Sequence, residues 1–109
     1  MADELLAKRY KDAAGVIIGS VLEEHLRKLA GIFGASVTVG KAHKKADTIN
    51  ADLAKAGAYN KLEQKNVTAW LGLRNDAAHG NYGNYGNYGQ SQVAIFLTSV
   101  REFMTRHPA

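Results

Sequence analysis

The chain has no cysteine and a single proline, Pro108, next to its last residue. Without cysteine there are no disulfides, thiolate nucleophiles or cysteine-based zinc sites. Without internal proline, helices can run uninterrupted. Apolar runs are only a few residues long, and no apolar signal segment follows the acidic start "MADELLAKRY". We therefore expect a cytoplasmic protein with no membrane span.

Acidic residues are the minority among the charged ones. Fourteen Lys and Arg face ten Asp and Glu, which gives a net charge of +4 and an isoelectric point near 9.4. This excess favours a polyanionic partner such as RNA without establishing one. No phosphate-binding glycine motif and no persuasive His, Asp and Glu spacing occurs, so we expect neither a cofactor nor a metal.

Helical periodicity dominates the 109 residues, and strand-like alternation is confined to "ASVTV" at 35–39. The length and pattern predict one all-α domain, an antiparallel bundle of about four helices. Gly57 should end the second helix, and Asn60 with Glu63 should cap the start of the third. The predicted helices run from Asp3 to about Gly31, over 46–56, from Asn60 to about His79, and from Ser91 onward.

Apolar spacing predicts which helix faces point inward. The first helix carries two stripes, one through Ile17 and Val21 and one through Ile18, Leu22, Leu26 and Leu29, so both sides should be covered. The third helix should face inward through Leu62, Asn66, Ala69 or Trp70, Leu73 and Ala77. His25 is expected at a surface or an interface.

The third helix ends in "LRNDAAHG", where Arg74 and Asn75 precede His79. A chain of this composition is expected to contain, by chance, about 0.5 matches to the pattern of an Arg followed four to six residues later by a His. The pair Arg101 and His107 fits the same spacing, so spacing alone selects neither pair. Only the first pair combines a polar neighbour with the end of a core helix.

The segment "LRNDAAHG" resembles the signature of the HEPN family, an Arg, a polar residue and a His at the end of the third helix of a small bundle. The first helix with "EEHLRKLAG" and the later "KLEQKNVTAWLGLRNDAAHG" follow the order usual in that family. The resemblance implies a homodimeric, metal-independent endoribonuclease with Arg74 and His79 as catalytic residues and Asn75 orienting them. It further implies a toxin or phage-defence role, with an antitoxin or a larger defence-system partner.

The chemistry of these residue types agrees with that role. Histidine titrates near neutral pH and can transfer protons, and arginine stays charged and can hold two phosphate oxygens. On a straight helix, however, five residues turn the chain by about 500°, so Arg74 and His79 point about 140° apart. Unless the helix ends before His79, the two would meet only across a dimer axis.

Two other readings of the motif stay open. Arg74 can form a structural salt bridge and His79 can cap the helix. Alternatively, the domain is a non-catalytic dimerisation or nucleotide- or RNA-binding module.

Residues 80–89 repeat Gly-Asn-Tyr three times and form a predicted loop. Tyr82, nearest to His79, is a candidate for stacking on RNA bases, although a tandem repeat in a tolerant loop explains the length more simply. A toxin subgroup of the family carries Arg-x4-His-x-Tyr, and Tyr82 follows one residue too late for it. Lys41, Lys44 and Lys45 are candidate phosphate contacts, against the commoner case of a solvated connector.

Overall fold

Over the residues that the structure describes, the protein is an all-α bundle of four helices, as the sequence predicts. The computed structural model describes residues 2–40, 42–79 and 90–109, without the side chains at 2–11, 79 and 90–92. None of the helices in the described ranges combines the length and the apolar character needed to cross a membrane. The helices are α1 (Ala2–Phe33), α2 (Ala46–Lys55), α3 (Lys61–His79) and α4 (Gln90–Arg106).

A two-stranded hairpin interrupts the connector between α1 and α2. Strands β1 (Thr38–Val39) and β2 (Ala42–His43) pair antiparallel, with Thr38 opposite His43. Gly40, with φ of +60°, lies in the connection between them, where hairpin turns favour positive φ. The alternation in "ASVTV" therefore marks a real but very short strand.

Local signals set the ends of the helices. Gly57 has φ of +82°, its N–H donates to the Ala54 carbonyl, and the Ala58 N–H donates to the Leu53 carbonyl at 2.9 Å. These two bonds define a Schellman motif, in which a left-handed glycine lets the chain satisfy the last helical carbonyls. At the start of α3, Asn60 Oδ1 accepts the Glu63 N–H at 2.9 Å. Both predicted helix ends are confirmed.

One stripe of α1 forms the centre of the core, and the other does not. Leu22 and Leu26 are fully buried, whereas Ile17 and Val21 are 63% and 44% exposed. The prediction that both sides of α1 are covered is wrong for this chain by itself, because α2, α3 and α4 pack on the other stripe. Buried side chains from the three other helices meet this stripe, including Ile49, Leu53, Val67, Leu71, Phe96, Val100 and Phe103.

The inward face of α3 agrees with the predicted one only in part, since Ala77 is buried and Trp70 and Leu73 pack against the core as predicted. Val67 and Leu71 are buried, while Leu62 is 66% exposed. The true stripe continues through position 74, one turn after Leu71 and one turn before the buried Ala77. Because position 74 is an arginine, the apolar pattern along this stripe is interrupted there. The apolar pattern therefore predicts a face that is rotated around the helix from the buried face.

Contacts along the bundle give the helix directions. Glu63 near the start of α3 contacts Arg106 at the end of α4, and Trp70 stacks edge-on with Phe103 at 5.7 Å. The helices α3 and α4 are therefore antiparallel, as predicted. The second half of α1 lies beside the end of α4, where His25 packs on Phe103.

Candidate functional site

Arg74 lies in the interface between α3 and α1. Its side chain is 28% exposed, and its Nε lies 3.8 Å from the Glu23 Oε1. The Nε atom is buried and has no hydrogen-bond partner among the described residues. A cation on the core-facing stripe of a helix loses hydration, so the Glu23 carboxylate offsets a cost that an apolar residue there would not incur.

Gly19 provides the space that Arg74 occupies. A Cβ at position 19 would overlap the Cβ and Cγ of Arg74. These atoms are near the backbone, so they cannot move aside as the tip of a long side chain can. Gly19 therefore serves the packing of α1 on α3, and its partner is the motif arginine. The sequence offered no signal for this pairing.

Asn75 is exposed on α3, next to Arg74 in sequence but not in direction. Consecutive residues on a helix point about 100° apart, whereas residues four apart lie on the same face. Position 75 therefore shares its face with position 79 and not with position 74. The backbone of His79 is helical, and its side chain lies outside the described part of the chain.

The helix α3 continues through His79, and this limits how Arg74 and His79 of one chain can converge. An α3 that ended earlier would allow Arg74 and His79 to converge. Because the helix includes position 79, the two positions of one chain point about 140° apart. These two positions of one chain are therefore poorly placed to hold a single phosphate together.

The predicted RNA contacts outside the motif have different surroundings. Tyr82 and Lys41 lie outside the described residues. Lys44 forms an ion pair with Asp52, with Nζ 2.7 Å from Oδ2, and its side chain is only 16% exposed. Lys45 is exposed at the start of α2. A phosphate contact by Lys44 would have to replace this ion pair, whereas Lys45 is accessible.

Arg101 and His107, the competing pair, have different surroundings. Arg101 is exposed, while the His107 ring lies 3.0 Å from Glu63 Oε2. His25 is 7% exposed, so of the two expected positions, surface or interface, the surface is wrong. Its Nε2 lies 2.6 Å from the His107 carbonyl oxygen, and because that oxygen only accepts, Nε2 carries the hydrogen. These contacts tie the chain after α4 to the bundle.

Glu63 is the centre of an ionic cluster, whereas the sequence predicts it only as part of the helix cap with Asn60. Its carboxylate accepts hydrogen bonds from Arg106 and Asn66 and pairs with His107. Burial raises the pKa of Glu63, but the hydrogen bonds from Arg106, Asn66 and His107 outweigh this effect and leave the pKa below its usual value. The cluster joins the start of α3 to the end of α4.

Within the described ranges, no group of three or more His, Asp and Glu side chains is placed to hold a metal ion. Comparison with protein-family models, with curated proteins and with solved structures finds no match to the chain in any of the three. The functional interpretation therefore depends on the residues and their geometry.

Proposed function

We propose that the protein is a metal-independent endoribonuclease of the HEPN type, acting as a homodimer through Arg74 and His79. The observation that carries the proposal is the position of Arg74 on the core-facing stripe of α3, paired with Glu23. An apolar residue would satisfy that position at lower cost, and such departures from packing rules are concentrated at functional sites. The polar residue and the histidine required by the family signature follow on the same helix.

The proposed reaction is attack of an RNA 2′-hydroxyl on the adjacent phosphorus. One His79 accepts the 2′-hydroxyl proton, the new O2′–P bond forms, and the P–O5′ bond breaks. Water donates a proton to the leaving 5′-oxygen, and the protonated His79 returns its proton to solvent. The products are a 2′,3′-cyclic phosphate and a 5′-hydroxyl, and no oxidant or metal enters the balance.

Arg74 would stabilise the charge that develops on the phosphoryl oxygens. A guanidinium has five N–H donors, and the ion pair with Glu23 engages it through Nε. The Nη donors would bind the phosphate, an arrangement suited to paired oxygens. Glu23 and Gly19 would then position the guanidinium by fixing its stem.

Asn75 is assigned to His79 rather than to Arg74. The two share a face of α3 one turn apart, a spacing at which an amide can hydrogen-bond an imidazole. We therefore propose that Asn75 orients the His79 ring. The RNA substrate and a toxin or phage-defence role follow from the same resemblance, as does an antitoxin or a larger defence-system partner, whereas a cytoplasmic location is proposed from the composition.

The test is incubation of single-stranded and structured RNA with the wild type and His79→Ala in excess EDTA. The proposal predicts cleavage by the wild type alone, with 2′,3′-cyclic phosphate ends and a loss of at least about 100-fold in the variant, as for removal of a general acid–base. Circular dichroism establishes that both chains are folded. Equal cleavage by both proteins, or cleavage only with added metal, would contradict the proposal.

The same ion pair also favours a second candidate, a non-catalytic dimerisation or nucleotide-binding module. In that case Arg74 would stabilise the α1–α3 interface and bind no scissile phosphate. Arg74→Lys keeps the charge but not the paired donors. A nuclease should lose cleavage in this variant while the dimer persists, whereas a purely structural arginine should change only the stability of the fold.

A further inference from the structure

A basic groove lies between the second half of α1 and the end of α4. It has a volume of about 510 Å³, and its lining includes His25, Lys28, Arg101 and Thr105. A neighbouring groove of about 380 Å³ on α4 also borders Arg101 and Thr105. Arg101 therefore lines both grooves.

The cations of this groove are accessible to a ligand. Arg101 is exposed, and the Lys28 side chain is 62% exposed. Among the described residues, Lys28 forms an ion pair with Glu24, whose Oε1 lies 3.6 Å away and whose side chain is 70% exposed. An ion pair so fully solvated is weak and is readily exchanged for another anion.

One wall of the groove is fixed by the fold. The His25 ring donates to the His107 carbonyl, which holds the segment leading to Pro108 against α1. Pro108 and Met104 add apolar surface to the lining. The groove is therefore part of the folded bundle and does not need a ligand to form it.

The groove is separate from the cleavage site proposed above. Lys28 follows Glu23, the partner of Arg74, by five residues on α1. That separation corresponds to about 7.5 Å along the helix and about 140° around it. A single phosphate cannot contact both places in one chain, so a ligand that uses both must be extended.

We propose that this groove binds the sugar–phosphate backbone of single-stranded RNA at a second contact, away from the scissile phosphate. The two accessible cations, Lys28 and Arg101, suit phosphate oxygens. None of the residues that line the two grooves is a Phe, Tyr or Trp that could stack on bases, so binding should be independent of sequence. The inference depends on RNA being the partner in the proposed function, but not on cleavage.

The acidic residues beside the groove allow a test in which the expected change is tighter RNA binding. Glu24 lies beside Lys28, and Glu102 lines the α4 depression next to Arg101. Both carboxylates repel a phosphate chain. Glu24→Gln should therefore tighten RNA binding, an outcome that a damaged fold cannot produce.

The experiment measures fluorescence anisotropy of a labelled 12-nucleotide single-stranded RNA in EDTA, with every variant in a His79→Ala background so that the RNA stays intact. Arg101→Gln and Lys28→Gln should each raise Kd about three- to tenfold and reduce the slope of log K against log salt by about 0.7. The control Lys65→Gln removes the same charge from an exposed position on α3 and should change Kd much less.

Equal effects of Arg101→Gln and Lys65→Gln would overturn the groove assignment, because they would show only a general response to net charge. Weaker binding by Glu24→Gln would overturn it as well. So would inorganic phosphate perturbing the groove amides in NMR spectra while the RNA leaves them unchanged. If the wild type fails to cleave RNA but the groove variants lose binding as expected, the nuclease proposal fails and this inference stands.

Discussion

At the scale of single residues, Glu63 makes the stability of the bundle dependent on pH. Its pKa is lowered in the folded protein by hydrogen bonds from Arg106, Asn66 and His107, which outweigh burial. A carboxyl whose folded pKa is depressed stabilises the fold above its unfolded pKa, ordinarily near 4.5, and this contribution is lost as the pH falls through the folded value.

Glu63→Gln should therefore lower the free energy of unfolding at pH 7 by about 1–3 kcal/mol, as for loss of charged hydrogen bonds. The deficit relative to the wild type should shrink as the pH falls below about 4.5. Urea titrations between pH 3 and 7 measure both. Glu24→Gln, at a solvated pair, should change stability by no more than about 1 kcal/mol. A deficit of Glu63→Gln that is independent of pH would contradict this account.

Asn50 is a buried polar residue that the apolar pattern of α2 does not predict. Its Nδ2 donates to the Gln64 carbonyl and to Thr68 Oγ1, and its Oδ1 accepts the Tyr59 hydroxyl at 2.6 Å. Burial and the nearby Glu63 charge raise the pKa of Tyr59 well above its usual value. The hydroxyl therefore stays protonated and remains a donor.

Tyr59→Phe should cost about 1–2 kcal/mol, because it leaves the buried Asn50 oxygen without this donor. Thr68→Val should cost less, since Asn50 Nδ2 keeps the Gln64 carbonyl as its acceptor. Denaturant titration of the two variants at neutral pH ranks them. A larger loss for Thr68→Val would show that the Tyr59 bond is not the important one.

At the scale of elements, the contact between α1 and α3 is set by Gly19. Gly19→Ala gains helix propensity but overlaps the stem of Arg74, so it should destabilise the fold by about 1–3 kcal/mol and reduce RNA cleavage. Gly31→Ala, in the same helix with nothing within 4 Å of the added Cβ, should instead stabilise by about 0.5–1 kcal/mol. Thermal unfolding and the cleavage assay compare them. If both variants behave alike, Gly19 does not position Arg74.

The same elements show how far the sequence determines the fold and the site. The ends at Gly57 and Asn60 were predictable because caps depend on a few adjacent residues. The inward face of α3 was predictable only in part, because the place of Arg74 depends on Gly19 and Glu23, which are more than 50 residues away in the sequence. The roles of Glu63 and His25 were missed for the same reason, since their partners at 106 and 107 lie at the end of α4 and directly after it. The catalytic assignment of the motif stays a prediction.

At the scale of the whole molecule, the proposed chemistry depends on two chains. The central proposal is a site made of Arg74 from one chain and His79 from the other. It follows because α3 is helical through position 79, which directs the two positions of one chain apart. The exposed Ile17 and Val21 each lie about 160° around α1 from Gly19, so a dimer formed through them would not join the two motifs. The contact must instead bring the ends of both α3 helices together.

The most direct measurement is to mix Arg74→Ala and His79→Ala chains after mild denaturation and refolding, and to assay RNA cleavage in EDTA. Each variant alone should be inactive. About half of the refolded dimers pair one of each variant, and each of these has one intact composite site of two, so the mixture should recover about a quarter of wild-type activity. Activity no higher than that of the single variants, from a mixture shown to contain mixed dimers, would contradict the composite site.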